Sequence, residues 1–186
     1  MRVRAARLSL ALAIAVAIGS HARAQVVSSP GEPVELALEE TSGRTRTMRE
    51  VRGRVVIVFY EDREHTDLNR ALKEQLHRFV VDNGLQPQVT TYAVANVHGI
   101  DGVVRDLART AIRAIASQYG IQILLDWEGA LMRAPWSLAN HDANVALVDR
   151  QGRIRWRHTG AVGEAERTSF YRTLRQLIRE PAPSTP

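Results

Sequence analysis

The feature that most constrains this chain is the run Val55-Val56-Ile57-Val58-Phe59-Tyr60, introduced by Gly53-Arg54 and free of any polar residue. An amphipathic strand alternates polar and apolar residues. A run that is apolar and β-branched at every position needs a strand buried on both faces, with cover above and below. The chain is therefore expected to build a sheet around this segment and to place other elements on each side of it.

The rest of the sequence supplies those elements in alternation. Val34 to Leu38 and Arg44 to Glu50 read as strands joined by the turn Thr41-Ser42-Gly43. After the central run, Leu68, Leu72, Leu76, Phe79 and Val80 recur at helical spacing. Thr66 or Asp67 is placed to cap that helix, and Asn83-Gly84 to close it. Val89 to Val97 predicts a second core strand. A helix follows Asp101-Gly102, with Val104, Leu107, Ala108, Ala111 and Ile115 on one face. Ile121 to Leu125 is a third strand, and the turn Asp126-Trp127-Glu128-Gly129 leads to a short helical piece ending near Ser137. Asn144 to Asp149 and Arg153 to Thr159 form a hairpin around Arg150-Gln151-Gly152. Glu164 to Arg179 closes the chain as a helix, acidic at its start and basic at its end as the helix dipole favours. This order predicts an α/β fold, a mixed sheet with helices on both faces.

The N-terminus reads as an address. Arg2, Arg4 and Arg7 precede the apolar stretch from Leu8 to Gly19, and Ala22-Arg23-Ala24 supplies a small-residue cleavage pattern before Gln25. That is the order of a secretory signal peptide, and the apolar stretch falls short of the ~20 residues a spanning helix needs. The expected organisation is a signal peptide over 1–24, a flexible lead-in over 25–33, one domain over 34–179 and a loose tail over 180–186. A periplasmic or secreted product without a stable membrane anchor follows.

The formal net charge of the whole chain is +5. Arg2, Arg4, Arg7 and Arg23 lie in the expected leader, so a processed chain is close to neutral. Its arginines are scattered singly, and Lys73 is the one lysine. Nucleic-acid binding needs a clustered basic face, and no nucleic-acid partner is expected. No Walker or dinucleotide glycine motif is present, and Ser137, His141 and Asp142 lack the elbow that would make them a hydrolase triad.

Several stretches resemble one superfamily. Gly53 to Phe59 looks like the first core strand of thioredoxin-like and peroxiredoxin-like exported proteins. Leu147-Val148-Asp149-Arg150-Gln151-Gly152-Arg153-Ile154-Arg155 resembles their hairpin, and Leu124 to Gly129 is similar to their aspartate-glycine turn. The resemblance spans roughly residues 34 to 179 and implies a thioredoxin-like fold. The Thr90-Thr91 pair, the long loop-helix after it and the second Asp-x-x-Gly turn are similar to the periplasmic YtfJ family, whose members also tend to lack redox cysteines.

In the superfamily a Cys-x-x-Cys pair follows the first core strand, and a cis-proline precedes the hairpin. This chain has no cysteine. The positions equivalent to the redox site read Glu61, Asp62, Arg63, Glu64 and His65, with Ala143 and Asn144 in place of the proline region. Thiol chemistry and peroxidatic chemistry both require a thiolate and are excluded. What remains is a non-catalytic binding or accessory module of the cell envelope, with an envelope protein or peptide as partner and neither a catalytic residue nor a cofactor expected. The alternative is a metal-dependent or acid-base enzyme. In that reading Glu61, His65 and His141 supply carboxylate and imidazole ligands for a divalent metal, brought together because the loop before the hairpin lies beside the loop after the first core strand. Acidic residues there also suit a simple helix start. His77 and His98 are expected in solvent, Trp136 and Trp156 in the core, and Trp127 partly exposed on a contact surface.

Overall fold

The computed structural model describes Gln25–Val26 and residues 31–182. The expected signal peptide over 1–24, residues 27–30 and the end of the tail over 183–186 lie outside the described residues. The elements are β1 (Gln25–Val26), β2 (Ala37–Glu40), β3 (Thr45–Thr47), β4 (Val55–Glu61), α1 (Arg70–Asp82), β5 (Val89–Asn96), α2 (Val103–Tyr119), β6 (Ile123–Asp126), β7 (Asn144–Val148), β8 (Ile154–Thr159) and α3 (Glu164–Arg179). Two 3-10 helices, Met48–Val51 and Ala130–Met132, interrupt the loops.

All the strands join one mixed sheet in the order β1-β8-β7-β4-β5-β6-β2-β3. β4 runs parallel to β5 and antiparallel to β7. Every residue of β4 is buried, as the uninterrupted apolar run requires. Val55, Ile57 and Phe59 pack with Leu72 and Leu76 of α1 and Phe170, Leu174 and Leu177 of α3. Val56, Val58 and Tyr60 face the other way, onto Met48, Val51, Leu131 and Trp136. Helices thus cover both faces, α1 and α3 on one and the two 3-10 helices on the other. Each large apolar side chain fully removed from water contributes about 1.5–3 kcal/mol.

Several local expectations are corrected. The first strand lies at Ala37–Glu40, later than Val34 to Leu38, although Val34 and Leu36 are buried. The second strand stops at Thr47. Met48 and Val51, three residues apart, both enter the core, which a turn of helix allows and strand alternation does not. The lead-in is tied to the sheet at its start, where Gln25–Val26 pairs with β8. The face expected to bury α2 is wrong: Val104, Leu107 and Ile115 are exposed, and the helix rests on the sheet through Ala108, Ile112 and Ala116. Trp127 is also buried, under the Arg105 and Arg109 guanidinium groups. Trp136 and Trp156 are buried as expected.

The turn after β6 shows how a polar residue is held at the sheet end. The Asp126 carboxylate is fully buried and accepts from the backbone N–H groups of Ala130 at 2.7 Å and Leu131 at 2.9 Å. Gly129 sits there at φ +63°, and a Cβ would meet Met132 and the His98 ring. Glycine takes this left-handed conformation without strain, and any side chain there would have to displace the Met132 methyl and press on the His98 ring.

Candidate functional site

The carboxyl end of β4 is where the chain turns from a strand flanked by β5 on one side and β7 on the other. In open α/β sheets this is where a crevice forms. Three segments meet there: the loop Asp62 to Asn69 leading to α1, the end of β5, and the loop before β7.

Asp62 organises the first of these. Its Oδ1 accepts from the backbone N–H groups of Glu64 and His65, both at 3.1 Å, and lies 2.6 Å from His65 Nδ1. Its Oδ2 lies 3.7 Å from His141 Nδ1. One carboxylate therefore stands between two imidazoles that are 76 residues apart in the chain. The hydrogen bond to Asp62 holds the His65 pKa above its ordinary 6.5, with the Asp62 charge and then those of Asp142 and Glu64 adding to it and desolvation opposing it.

His141 is exposed and has φ +55°, a left-handed conformation that few non-glycine residues adopt. It is held there by its neighbours. Asn140 Oδ1 accepts from Asn96 Nδ2 at the end of β5 at 2.7 Å. The N–H of Ala143 bonds to Asp142 Oδ1 at 2.8 Å. Asn144, fully buried, anchors the loop. Its amide donates to Ala139 O at 2.9 Å and Tyr60 O at 3.3 Å, and its Oδ1 accepts from Ala139 N–H and Thr159 Oγ1, both at 2.9 Å.

Glu61 goes elsewhere. β4 extends through Glu61, so strand alternation points its side chain to the same face as Phe59, toward α1. There Glu61 Oε2 accepts from Lys73 Nζ at 2.5 Å, and Lys73 also donates to Thr66 O at 2.8 Å and lies over the Phe59 ring. Burial pushes the Glu61 carboxyl up, and the Lys73 charge only partly offsets it. Of the three expected metal candidates, the structure thus brings His65 and His141 to Asp62 and turns Glu61 away. Among the described residues, no group of three or more His, Asp or Glu side chains is placed to hold a metal ion.

The helix start also differs from expectation. Neither Thr66 nor Asp67 caps α1; the capping position is Asn69. Its side chain makes no cap bond and spans instead to the segment before α3, donating to Gly160 O at 3.1 Å and accepting from Val162 N–H at 2.8 Å. Sequence reasoning missed Asn69 and Lys73. The isolated lysine in an otherwise arginine-only chain was the one available signal for the second.

The chain matches no protein-family model and no curated protein. Its fold is similar to that of several solved structures. A secreted thiol-disulfide isomerase from Corynebacterium glutamicum superposes with a TM-score of 0.61 at 13% identity, covering 91% of this chain and 99% of that one. A second thiol-disulfide isomerase from Corynebacterium glutamicum gives 0.60 at 21% identity, over 80% and 96%. A DsbF homologue from Corynebacterium diphtheriae gives 0.60 at 11% identity, over 89% and 99%. The protein has a thioredoxin-like α/β fold. Its structural neighbours are thiol-disulfide proteins, whereas this chain has no cysteine with which to do their chemistry.

Proposed function

We propose that this protein is an exported, non-catalytic binding module of the cell envelope, which uses the rebuilt end of β4 to recognise a protein or peptide. One observation carries the reading: the Asp62 carboxylate bonds His65 and lies 3.7 Å from the ring of His141, which is held beside it in a left-handed conformation. Unfavourable backbone geometry collects at binding and catalytic sites, because surrounding structure has to maintain it. The exposed Arg63, Glu64 and His141 side chains offer both charge signs and hydrogen-bond donors to a partner. Export is supported by the leader-like N-terminus and by a secreted neighbour. Kinship with the YtfJ family is part of the same proposal. It is supported by two Asp-x-x-Gly turns in which Asp126 and Asp149 each bond two following N–H groups.

Site-specific photocrosslinking in cells tests the reading. A crosslinker at Arg63 is expected to give a discrete adduct that is lost when Asp62 and His141 are replaced by Ala. One at Thr168, on the exposed side of α3, is expected to give none. Equal adducts from both positions, or none from Arg63, would overturn it.

A second reading has one specific observation behind it. The 2.6 Å bond from Asp62 to His65 Nδ1 orients the ring as a carboxylate orients a general base. Acid-base turnover abolished by His65→Ala in a folded protein would favour this reading over the first.

A further inference from the structure

Helix α3 turns its apolar stripe inward and carries a row of arginines outside. At about 100° per residue the buried Phe170, Thr173, Leu174 and Leu177 fall within about 100° of arc, and Arg172, Arg175 and Arg179 fall within about 60° on the opposite side. All three arginines are exposed. With Gln176, Glu180 and Pro181 they line an open groove of about 620 Å³. Glu180 is the one carboxylate among those lining residues, and its two oxygens accept from the Arg155 guanidinium at 3.2 and 3.3 Å.

Arg175 is held over aromatic rings, 5.5 Å from the centre of Phe79 on α1 and 5.7 Å from that of Tyr171. A guanidinium stacked in this way keeps its N–H donors at its rim. The Tyr171 hydroxyl is buried without a hydrogen-bond partner, and the charges of Arg167, Arg175 and Arg78 all act on it. Among the described residues, none of Arg78, Arg167, Arg172, Arg175 and Arg179 pairs with a carboxylate. Like charges three and four residues apart on a helix repel one another. The helix dipole favours basic residues only in the last turn, where Arg179 stands. The row is therefore unfavourable in the isolated fold, and a bound anion relieves it.

We propose that this face of α3 binds a chain of linked phosphate groups. Arg172 and Arg179 are about 10 Å apart along the helix axis, a distance that a single phosphate does not span. The guanidinium fork matches phosphate oxygens in pairs, and a phosphate chain presents acceptor oxygens on every link. An acidic peptide spaces its two-oxygen carboxylates one to a residue and fits the row less closely. The site lies at the other end of the sheet from the β4 loop. Arg150, whose carbonyl accepts from Gly53 N–H just before β4, donates to Ile178 O at 2.8 Å and ties the end of α3 there. The proposal stands whether or not the β4 loop binds a partner.

Calorimetric titration of the purified protein with inorganic tripolyphosphate, at constant ionic strength, tests it. The wild type is expected to bind tripolyphosphate at least about tenfold more tightly than orthophosphate. Arg172→Gln/Arg179→Gln removes two exposed charges, leaves Arg175 on its rings, and is expected to weaken binding at least about tenfold. Arg175→Gln should weaken it likewise. Arg49→Gln, at an exposed arginine outside any ion pair, should bind as wild type does, and so should Asp62→Ala/His141→Ala. Binding left unchanged by Arg172→Gln/Arg179→Gln, weakened as much by Arg49→Gln, or matched by sulfate at equal ionic strength would overturn the proposal. Tighter binding of a glutamate octapeptide or an oligodeoxynucleotide of equal charge would do the same, as would capture by phosphatidic-acid vesicles without binding of tripolyphosphate.

Discussion

Lys73 Nζ lies 2.5 Å from Glu61 Oε2, so the chain's one lysine neutralises the carboxylate that ends its central strand. The Glu61 side chain is 8% exposed and that of Lys73 31%. The pair thus sits at the edge of the core, with the carboxylate inside and the ammonium reaching in from α1.

Removing the lysine strands that carboxylate. Breaking a fully buried pair costs roughly 3–5 kcal/mol, and the partial exposure of Lys73 reduces this, so Lys73→Met is expected to cost about 1–3 kcal/mol at neutral pH. Glu61 already has a raised pKa, and in the variant nothing opposes its burial. Protonation removes the buried charge, so the loss should shrink as pH falls toward the carboxyl range. Urea unfolding of both proteins at pH 7 and pH 5 checks this. A loss that grows on acidification would show that the pair is held by something other than its charge.

The Asp62–His65 contact predicts a pH dependence of its own. The folded His65 pKa is raised above 6.5, so the folded state binds this proton more tightly than the unfolded state. The resulting stability is fully present below 6.5 and is lost as pH rises through the folded value. Histidine ring NMR should give a His65 midpoint above 6.5 that falls toward 6.5 in Asp62→Asn. The same variant should lose less melting temperature than wild type between pH 6 and 8.

Asn69 and Asp67 should exchange the roles that their positions suggest. Asn69→Ala removes two partly buried hydrogen bonds between α1 and the segment before α3, at an expected cost of about 1–3 kcal/mol. Asp67 is an exposed residue bonded only to Arg70 among the described contacts, and Asp67→Ala should stay within about 0.5 kcal/mol of wild type. Chemical denaturation ranks them directly.

The loop before β7 depends on Asn144. Asn144→Ala leaves Ala139 N–H and Tyr60 O without their buried partner and should cost about 2–3 kcal/mol. It should also release His141 from its left-handed conformation. Loss of the His141 chemical-shift dependence on Asp62 would report that release, and a variant that keeps it would show that other contacts position the histidine.

What the sequence shows and what it hides divide along a physical line. The burial of β4, the hairpin and the limits of α3 were readable because each is set by a local pattern of apolar spacing or turn residues. The site was half readable. His65 and His141 were recognisable as a pair from the order of elements, but the carboxylate beside both was not, because β4 continues through Glu61 and turns that side chain toward α1, leaving Asp62 to the two histidines. The cap at Asn69 depends on Gly160 and Val162, more than 90 residues away. The outward face of α2 could not be foreseen from periodicity, which locates an apolar stripe and does not say what covers it.

The measurement that bears most directly on the account is elemental analysis of the protein purified without chelators. Asp62, hydrogen-bonded to the His65 ring with the exposed His141 ring 3.7 Å away, predicts far less than one equivalent of zinc, iron or manganese, unchanged in a His65→Ala/His141→Ala variant. About one tightly held equivalent, lost in that variant, would contradict the account and make the end of β4 a metal centre.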